Sequence, residues 1–295
     1  MPDWSHMKII KSIKGRLRHF SHIRTKEPII VIESDDWGMH VSPRDNDSLK
    51  HLGEPSIWSK DKLENIEELE TLFQVLENRK DSFANTPFIV PNVIVSNPDF
   101  EATKQSKYQN IHLIPLHESH PYLVQKYKQG MKRNVFFPQY HGRFHFNLGI
   151  YQHNLSSDNL SQRIFNLGIH GGLNMFKNAN WALHSEYINW NTGEPTGNLS
   201  NWLNKGVADF ERSFGFRPKS HIAPHYVFHP SQAENFRQAG FTIFQGCNMQ
   251  QFKLDGEQTY FNLPLESMRY PGVVAFGRNV KFEPCRGRKD WEADA

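Results

Sequence analysis

Residues 28–40 read PIIVIESDDWGMH, an apolar β-branched run that leads directly into two adjacent carboxylates, a tryptophan and a glycine. The run from Pro28 to Glu33 predicts a buried β-strand, because β-branched side chains favour extended backbone. Two neighbouring carboxylates at the end of such a strand repel each other unless water or a cation offsets their charge. The pair Asp35 and Asp36 is therefore either a solvated loop or helix cap, or one part of a cation site.

Strand-like and helix-like segments alternate along the following part of the chain. The strand-like segments lie within residues 86–98, 111–120, 219–228 and 241–246, and the helical patterns within residues 61–79, 121–131, 158–167 and 198–214. This alternation predicts a parallel sheet, and at 295 residues a barrel is favoured over an open doubly wound sheet. We expect residues 27–295 to form one barrel domain that follows a basic helical segment at residues 1–26.

Composition narrows the class of protein. Lys and Arg number 34 against 31 Asp and Glu, which is too balanced a charge for a dedicated nucleic-acid-binding protein. The basic segment MKIIKSIKGRLRHFSHIR has helical spacing, and we expect it to pack on the body of the protein or to touch an anionic membrane surface weakly. Its lysines interrupt any signal-peptide core, and no apolar run is long enough to span a membrane. Two cysteines do not make a disulfide framework, so a cytoplasmic location is expected.

The sequence HGRFH places His141 and His145 four residues apart, which brings two imidazoles to one side of a turn. Two imidazoles, one carboxylate and a water make the open pattern of a hydrolytic zinc site. Spacing alone does not select this pair, because HYVFH gives His225 and His229 the same separation. The alternative for either pair is a set of surface or hydrogen-bonded core histidines.

An Asp-Asp pair on the first strand followed by His-x-x-x-His resembles the polysaccharide deacetylase family, the metal-dependent carbohydrate esterases. ESDDWG resembles the family motif Thr-Phe-Asp-Asp-Gly with one residue inserted before the glycine. HGRFH matches the two histidines of His-(Ser/Thr)-x-x-His, with Gly142 at the hydroxyl position. The stretches VIESDDWG and HGRFHFN look like a divergent branch associated with bacterial surface-polysaccharide gene clusters. The resemblance covers roughly residues 28–230 and implies a distorted (β/α)7-type barrel.

The same resemblance implies roles for individual residues. Asp36, His141 and His145 would bind one divalent metal ion, expected to be zinc, and Asp35 would be the general base. A third family motif, Arg-x-Pro-Tyr, is similar to HIAPHYVF, in which Tyr226 is the implied catalytic residue through a backbone amide near it that stabilises the oxyanion. The implied substrate-binding residues are Trp37, Arg143, Pro224 and His225. The motif's arginine is missing, and Arg143 or His221 are the candidates to replace it.

The largest departure from the family lies at the C-terminal end, where Leu-x-x-His normally supplies the histidine that protonates the leaving group. No histidine follows His229, and EPCRGRKDWEADA contains no closing strand, so the last β/α element of a full barrel can be absent. A truncated chain, a loss of hydrolysis and a substitute acid are the three explanations. The candidates for a substitute acid are His40, His117 and His184.

These observations give a leading hypothesis and two alternatives. The leading one is a deacetylase that removes an acetyl group, expected to be N-acetyl, from a sugar of a polysaccharide or its precursor by attack of metal-bound water. The first alternative is a catalytically degenerate carbohydrate-binding or scaffolding protein on the same fold. The second is a metal-dependent amidohydrolase that acts on an amide other than a sugar.

Overall fold

The computed structural model describes residues 29–41, 62–170, 185–189, 197–247, 249–254, 257–262 and 272–278. The strands in these residues are β1 (Glu33–Trp37), β2 (Val90–Val93), β3 (Ser96–Pro98), β4 (Leu113–Pro115), β5 (Gln139–Tyr140), β6 (Ser220–Ile222), β7 (Ile243–Cys247), β8 (Met249–Leu254), β9 (Glu257–Asn262) and β10 (Val274–Arg278). Six parallel strands form the main sheet, in the order β1-β2-β5-β6-β7-β10. Two further pairs are antiparallel, β3 with β4 and β8 with β9.

Eight α-helices lie within the described residues. They are α1 (Ile66–Glu77), α2 (Phe100–Gln105), α3 (Leu116–Ser119), α4 (Pro121–Lys132), α5 (Leu148–Ser157), α6 (Asn159–Asn166), α7 (Leu199–Phe214) and α8 (Ala233–Gln238). Asn65 and Glu68 form a capping box at the start of α1. The helix therefore begins at Ile66, about one turn later than the pattern over residues 61–79 predicts. The predicted helices at residues 121–131, 158–167 and 198–214 are confirmed as α4, α6 and α7.

The core between the sheet and helices α1, α4 and α7 is aromatic. Phe73, Tyr127, Phe136 and Phe210 are fully buried members of one continuous cluster. Each such side chain contributes roughly 1.5–3 kcal/mol when it leaves water. This packing fixes the helices on the outer side of the sheet and leaves the ends of the strands to carry polar residues.

The two edge strands of the main sheet meet through side chains. Arg278 on β10 lies 3.0 Å from Glu33 on β1, and Gln245 on β7 also donates to Glu33. Because β1 and β10 stand at opposite ends of the strand order, these contacts require the sheet to curl until its edges face each other. The result is a curled parallel half-barrel within a mixed α/β fold, compatible with the predicted distorted barrel.

Three sequence expectations need correction. Regular pairing of β1 begins at Glu33, and the apolar residues before it are exposed, with Ile32 at 48%. Segment 111–120 is a short strand and a helical turn outside the main sheet, because β4 pairs with β3 instead. β10 is a strand that the sequence pattern did not predict, and it adds a parallel neighbour to β7.

The chain divides into two compact units, Met1–Val31 and Ile32–Ala295, and the elements above belong to the second. The predicted basic helix at residues 1–26 lies outside the described residues, so it stays a prediction. Within the described part of the chain, no helix combines the length and apolar character needed to cross a bilayer.

Candidate metal centre

A β-bulge in β1 explains how two adjacent aspartates serve one site. The register between β1 and β2 shifts between Ser34 and Trp37, so Asp35 and Asp36 together oppose Asn92. Asp36 has φ +67°, a left-handed conformation that residues other than glycine adopt rarely. Neighbouring side chains of a regular strand point to opposite faces, whereas a bulge re-aims one of them. The inserted residue therefore lets both carboxylates approach the same end of the sheet.

The turn after the bulge is held by buried polar groups. The Gly38 amide donates to the Glu64 carboxyl at 3.3 Å, and Asn97 bonds both the Gly38 carbonyl at 2.9 Å and the His40 amide at 2.8 Å. Burial raises the pKa of Glu64 to about 7. A Cβ on Gly38 would lie 2.8 Å from the Leu116 side chain, and φ is +75° there, so glycine is required.

Trp37, a predicted substrate-binding residue, packs against the aromatic core. Its ring meets Phe136 edge-on at 5.3 Å and Tyr127 at 6.3 Å between centroids. It is partly buried beside the main cluster. A role in substrate binding stays a prediction for this residue.

His141 and His145 lie on a tight loop directly after β5. The His141 amide donates to the Val93 carbonyl at 3.0 Å, which ties the start of the loop to β2. The His141 Nδ1–H donates to the Ile222 carbonyl at 3.0 Å, so the Nε2 lone pair faces away from β6. His145 has φ +75°, which turns its side chain back toward the strand ends. The loop thus presents both imidazoles from a non-helical backbone.

Three ligand-type atoms converge at the end of β1. The Asp36 Oδ1 atom lies 3.2 Å from His141 Nε2 and 3.0 Å from His145 Nε2. All three atoms lie within 4.8 Å of one another, and this is the one cluster of its kind among the described residues. Asp36 Oδ1 is buried and accepts no hydrogen bond there. A buried carboxylate oxygen beside two imidazole nitrogens fits a divalent cation, so this cluster could bind a metal ion.

Charge pairing shifts the pKa values of these groups. Burial raises the pKa of Asp36, but the attraction of His145 and His141 outweighs it and holds the pKa well below its usual range. Burial lowers the pKa of His141, but Asp35 and Asp36 outweigh it and leave the pKa raised. The cluster therefore attracts positive charge, which is what a cation site requires.

Asp35 belongs to a separate network of donors. Its two oxygens receive Arg278 Nη2 and Nη1, each at 2.6 Å, together with Asn92 Nδ2 at 2.9 Å and the Tyr226 hydroxyl at 3.2 Å. Burial raises the pKa of Asp35, and the nearby His141 and Arg278 lower it by more, so the net pKa is below its usual value. Asp35 is therefore held ionised and in a fixed orientation.

Arg278 is the site residue that sequence reasoning missed. Arg143, one predicted replacement for the motif's arginine, instead lies 3.4 Å from Asp209 and stacks over Trp202 at 4.7 Å. The other predicted replacement, His221, is buried with its Nε2 3.1 Å from the Tyr187 hydroxyl. The signal for Arg278 was the short apolar run VVAF before it, too brief to predict a strand.

The turn Pro224–Tyr226 follows β6 and brings two predicted residues to the centre. His225 and Tyr226 have φ +57° and +55°, and the His225 ring lies 4.4 Å from the His145 ring. The Tyr226 amide donates to the Ala223 carbonyl at 2.9 Å, so His225 is the remaining candidate for the predicted oxyanion amide. Eight described non-glycine residues have positive φ, and Asp36, His145, His225 and Tyr226 are four of them. Such conformations concentrate at functional sites.

The three histidines that the sequence suggests as substitute acids lie in different places. His40 Nε2 donates to the Gly168 carbonyl at 2.9 Å, and burial lowers the pKa of His40. His117 Nδ1 lies 3.4 Å from the Ser213 hydroxyl. His184 lies outside the described residues. The structure thus brings together Asp35, Asp36, His141, His145, Pro224, His225 and Tyr226, and places Trp37 and Arg143 in other contacts.

Comparison with known proteins gives likenesses of structure only. No family model matches the chain, and no curated protein matches it significantly. BC0361, a polysaccharide deacetylase from Bacillus cereus, is similar at 10% identity and TM-score 0.36, over 84% of this chain and 63% of that one. A 4-alpha-glucanotransferase from Thermococcus litoralis is similar at 10% identity and TM-score 0.35, over 85% and 28%. IcaB from Ammonifex degensii is similar at 9% identity and TM-score 0.31, over 89% and 95%.

The chain spans less than two thirds of the length of the first two of these proteins. At such low identity and score the likeness extends at most to the fold, and function has to be derived from the site itself. The predicted resemblance to the polysaccharide deacetylase family therefore depends on Asp35, Asp36, His141 and His145 and not on these likenesses.

Proposed function

We propose that this protein is a metal-dependent deacetylase that hydrolyses an acetyl group, expected to be N-acetyl, on a sugar of a polysaccharide or its precursor. The supporting observation is that the two adjacent carboxylates have different surroundings. Asp36 faces two imidazole nitrogens, whereas Asp35 faces only hydrogen-bond donors and His141 across the site. One carboxylate suits a metal ligand and the other a general base.

Each residue then has a definable task. A divalent cation, with zinc as the proposed ion, lowers the pKa of a water molecule and polarises the acetyl carbonyl when it is bound. Asp36 Oδ1 and the Nε2 atoms of His141 and His145 would hold it, with His141 oriented by its bond to Ile222. Asp35 takes the proton of the attacking water, because it is ionised and lies beside the ligand aspartate.

Proton acceptance by Asp35 requires one of its donors to leave. A carboxylate has about four acceptor positions, and four donor contacts fill them in this structure. The Tyr226 contact, at 3.2 Å, is the longest of the four. In this proposal the Tyr226 hydroxyl rotates away from Asp35 to admit the water and then donates to the developing oxyanion.

A second candidate function is carbohydrate binding without hydrolysis. The observation in its favour is that residues 230–295 contain no histidine at the place where the family resemblance implies the acid that protonates the leaving amine. A sugar amine is a poor leaving group unless it is protonated, whereas an aryl acetate releases a stable phenolate without help. The two candidate functions therefore differ in how they treat these substrates.

The experiment combines elemental analysis with acetate release. Protein purified without chelator should contain about one divalent ion per chain. Zinc-dependent acetate release should be faster from an aryl acetate than from an N-acetylglucosamine oligomer, with free zinc as the blank. Bound zinc without release from either substrate would favour the binding protein. A chain that binds no divalent ion would contradict the metal site itself.

A further inference from the structure

The carboxylate of Glu186 lies inside the loop that joins the two histidines. Glu186 Oε1 accepts from the Arg143 amide at 2.9 Å, and Oε2 accepts from the Phe144 amide at 2.7 Å and the His145 amide at 3.0 Å. Glu186 is only 7% exposed. Three consecutive main-chain donors therefore converge on one buried side chain, which fixes the backbone between His141 and His145.

Gly142 is the complement of this carboxylate. A Cβ on Gly142 would lie 2.7 Å from Glu186 Oε1 and 3.0 Å from Pro224 Cγ, and its φ is +122°. The space that a side chain would fill is occupied by Glu186 itself. Gly142 is therefore needed to leave room for the carboxylate of Glu186 beside the loop.

The segment around Glu186 is itself anchored on both sides. The Ser185 hydroxyl donates to the Val227 carbonyl at 2.9 Å, and Asn147 Nδ2 donates to the Ser185 carbonyl at 3.1 Å. Gln232 Nε2 donates to the Tyr187 carbonyl at 2.7 Å. Glu186 therefore connects the histidine loop to the segment after β6 as a fixed support.

Charge adds to this geometry. Three main-chain amides and the Tyr187 side chain are hydrogen-bond partners of Glu186, and no cationic side chain forms an ion pair with it among the described residues. A divalent cation held by His145, whose own amide bonds Glu186, would be attracted by the negative charge of Glu186. Binding of a cation and retention of Glu186 in the buried loop therefore favour each other.

We infer that Glu186 is a positioning residue that holds His141 and His145 in metal-binding geometry and raises the affinity of the site for a divalent cation. The inference rests on the proposed function, since it assumes the Asp36, His141 and His145 site. It assigns Glu186 no contact with substrate. Loss of an outer partner of metal-binding residues typically costs about 10- to 100-fold in metal affinity.

The test is zinc affinity of the full chain, measured by competition with a chromophoric chelator. Glu186→Gln should weaken zinc binding about 10- to 100-fold, because it loses the charge and turns an amide donor toward main-chain donors. Glu186→Asp keeps the charge but is one methylene shorter, so it should recover part of the affinity. The visible spectrum of the cobalt-substituted protein should change with Glu186→Gln, which a merely structural role would not require.

Glu70→Gln is the matched control. Glu70 bonds Arg133 at 2.8 Å and also Lys126 on the outer helices, so its loss should lower stability without changing zinc affinity. Zinc affinity of folded Glu186→Gln within twofold of the unmodified chain, with an unchanged cobalt spectrum, would overturn the inference. If the unmodified chain binds no zinc, the proposed function fails first and the inference falls with it.

A double-mutant cycle tests the geometry even if Glu186→Gln folds poorly. Gly142→Ala should destabilise the metal-free chain strongly, because its methyl group meets Glu186. In a Glu186→Ala background the same change should cost clearly less, since only the backbone strain and the Pro224 contact remain. Additive effects on the unfolding midpoint would show that the two residues do not share this space, and would overturn the inference.

Discussion

Two segments with identical His-x-x-x-His spacing behave differently in this fold. His141 and His145 direct both Nε2 atoms at the Asp36 carboxylate, at 3.2 and 3.0 Å. His225 instead places its ring against His145, and His229 Nδ1 accepts from the Ser231 amide at 3.2 Å, capping a 3₁₀ turn. Spacing is the same, but among the described residues the cluster with metal-ligand geometry is the one that the first pair forms with Asp36.

This difference shows that the groups that contact a histidine pair, and not its spacing, determine whether it can bind a metal ion. The first pair follows β5, where His141 Nδ1 is fixed by Ile222 and the loop backbone is fixed by Glu186. The second pair is spread across a turn in which His225 adopts φ +57°. A metal site needs convergent lone pairs and hydrogen bonds that orient the ligands. Among the described residues the first segment has the convergent lone pairs, and the hydrogen bond from His141 Nδ1 to Ile222 orients one of its two imidazoles.

The largest expected effect is the loss of a ligand. His141→Ala or His145→Ala should weaken zinc binding by more than the roughly 100-fold typical of outer-shell changes, because each removes one of three protein ligands. Equilibrium dialysis with elemental analysis measures this. Retention of full zinc occupancy in the double variant would remove the distinction between the two segments.

Substitution of the two aspartates should impair different properties, zinc binding for Asp36 and hydrolysis for Asp35. Asp36→Asn should reduce zinc binding, whereas Asp35→Asn should retain zinc while hydrolysis falls by about a hundredfold or more, the usual scale for a general base. Acetate release at saturating zinc, with metal content measured on the same samples, separates the two cases. Equal metal loss from both variants would mean that the pair binds as a unit.

Arg278→Lys should lower hydrolysis about 10- to 100-fold, the rate equivalent of losing one charged hydrogen bond of roughly 1.5–3 kcal/mol. Lysine keeps the charge but not the two-pronged contact with Asp35. Arg237→Lys, which alters an exposed pair with Glu234, is the matched control and should have no effect. A wild-type rate in Arg278→Lys would show that orientation of Asp35 is unimportant.

The smallest expected effect belongs to the second histidine pair. His229→Ala removes a side-chain cap from the turn Pro230–Gln232 and should lower the free energy of unfolding by about 1 kcal/mol. Zinc affinity should not change. Chemical denaturation and the chelator competition assay measure both quantities. Zinc loss in this variant would indicate that the wrong pair had been assigned to the metal.

Local patterns were sufficient for the helices and for the candidate ligands. Apolar spacing predicts α4, α6 and α7 because the apolar stripe of each helix must be buried against neighbouring elements. The sequence motifs predicted Asp36, His141 and His145 as metal ligands, and their ligand atoms lie close together in the structure. Residue types and spacing are intrinsic to a sequence, so these features could be read without coordinates.

Other features depended on strand register and on contacts between distant segments. β1 starts later than its apolar run suggests, because pairing with β2 begins only at Glu33. Arg278 meets Asp35 across 243 residues of chain, and Glu186 meets the histidine loop across 41 to 43. No local pattern encodes such contacts.

By itself the sequence determined the alternating α/β organisation and a short set of polar residues suited to a metal-dependent hydrolytic site. Only the tertiary structure decided which histidine pair faces Asp36, that a bulge lets both aspartates serve one site, and that Arg278 holds Asp35. The physical reason is that ligand convergence and ion pairing depend on distances of a few ångströms. Those distances are set by the curl and register of the sheet rather than by neighbours in the chain.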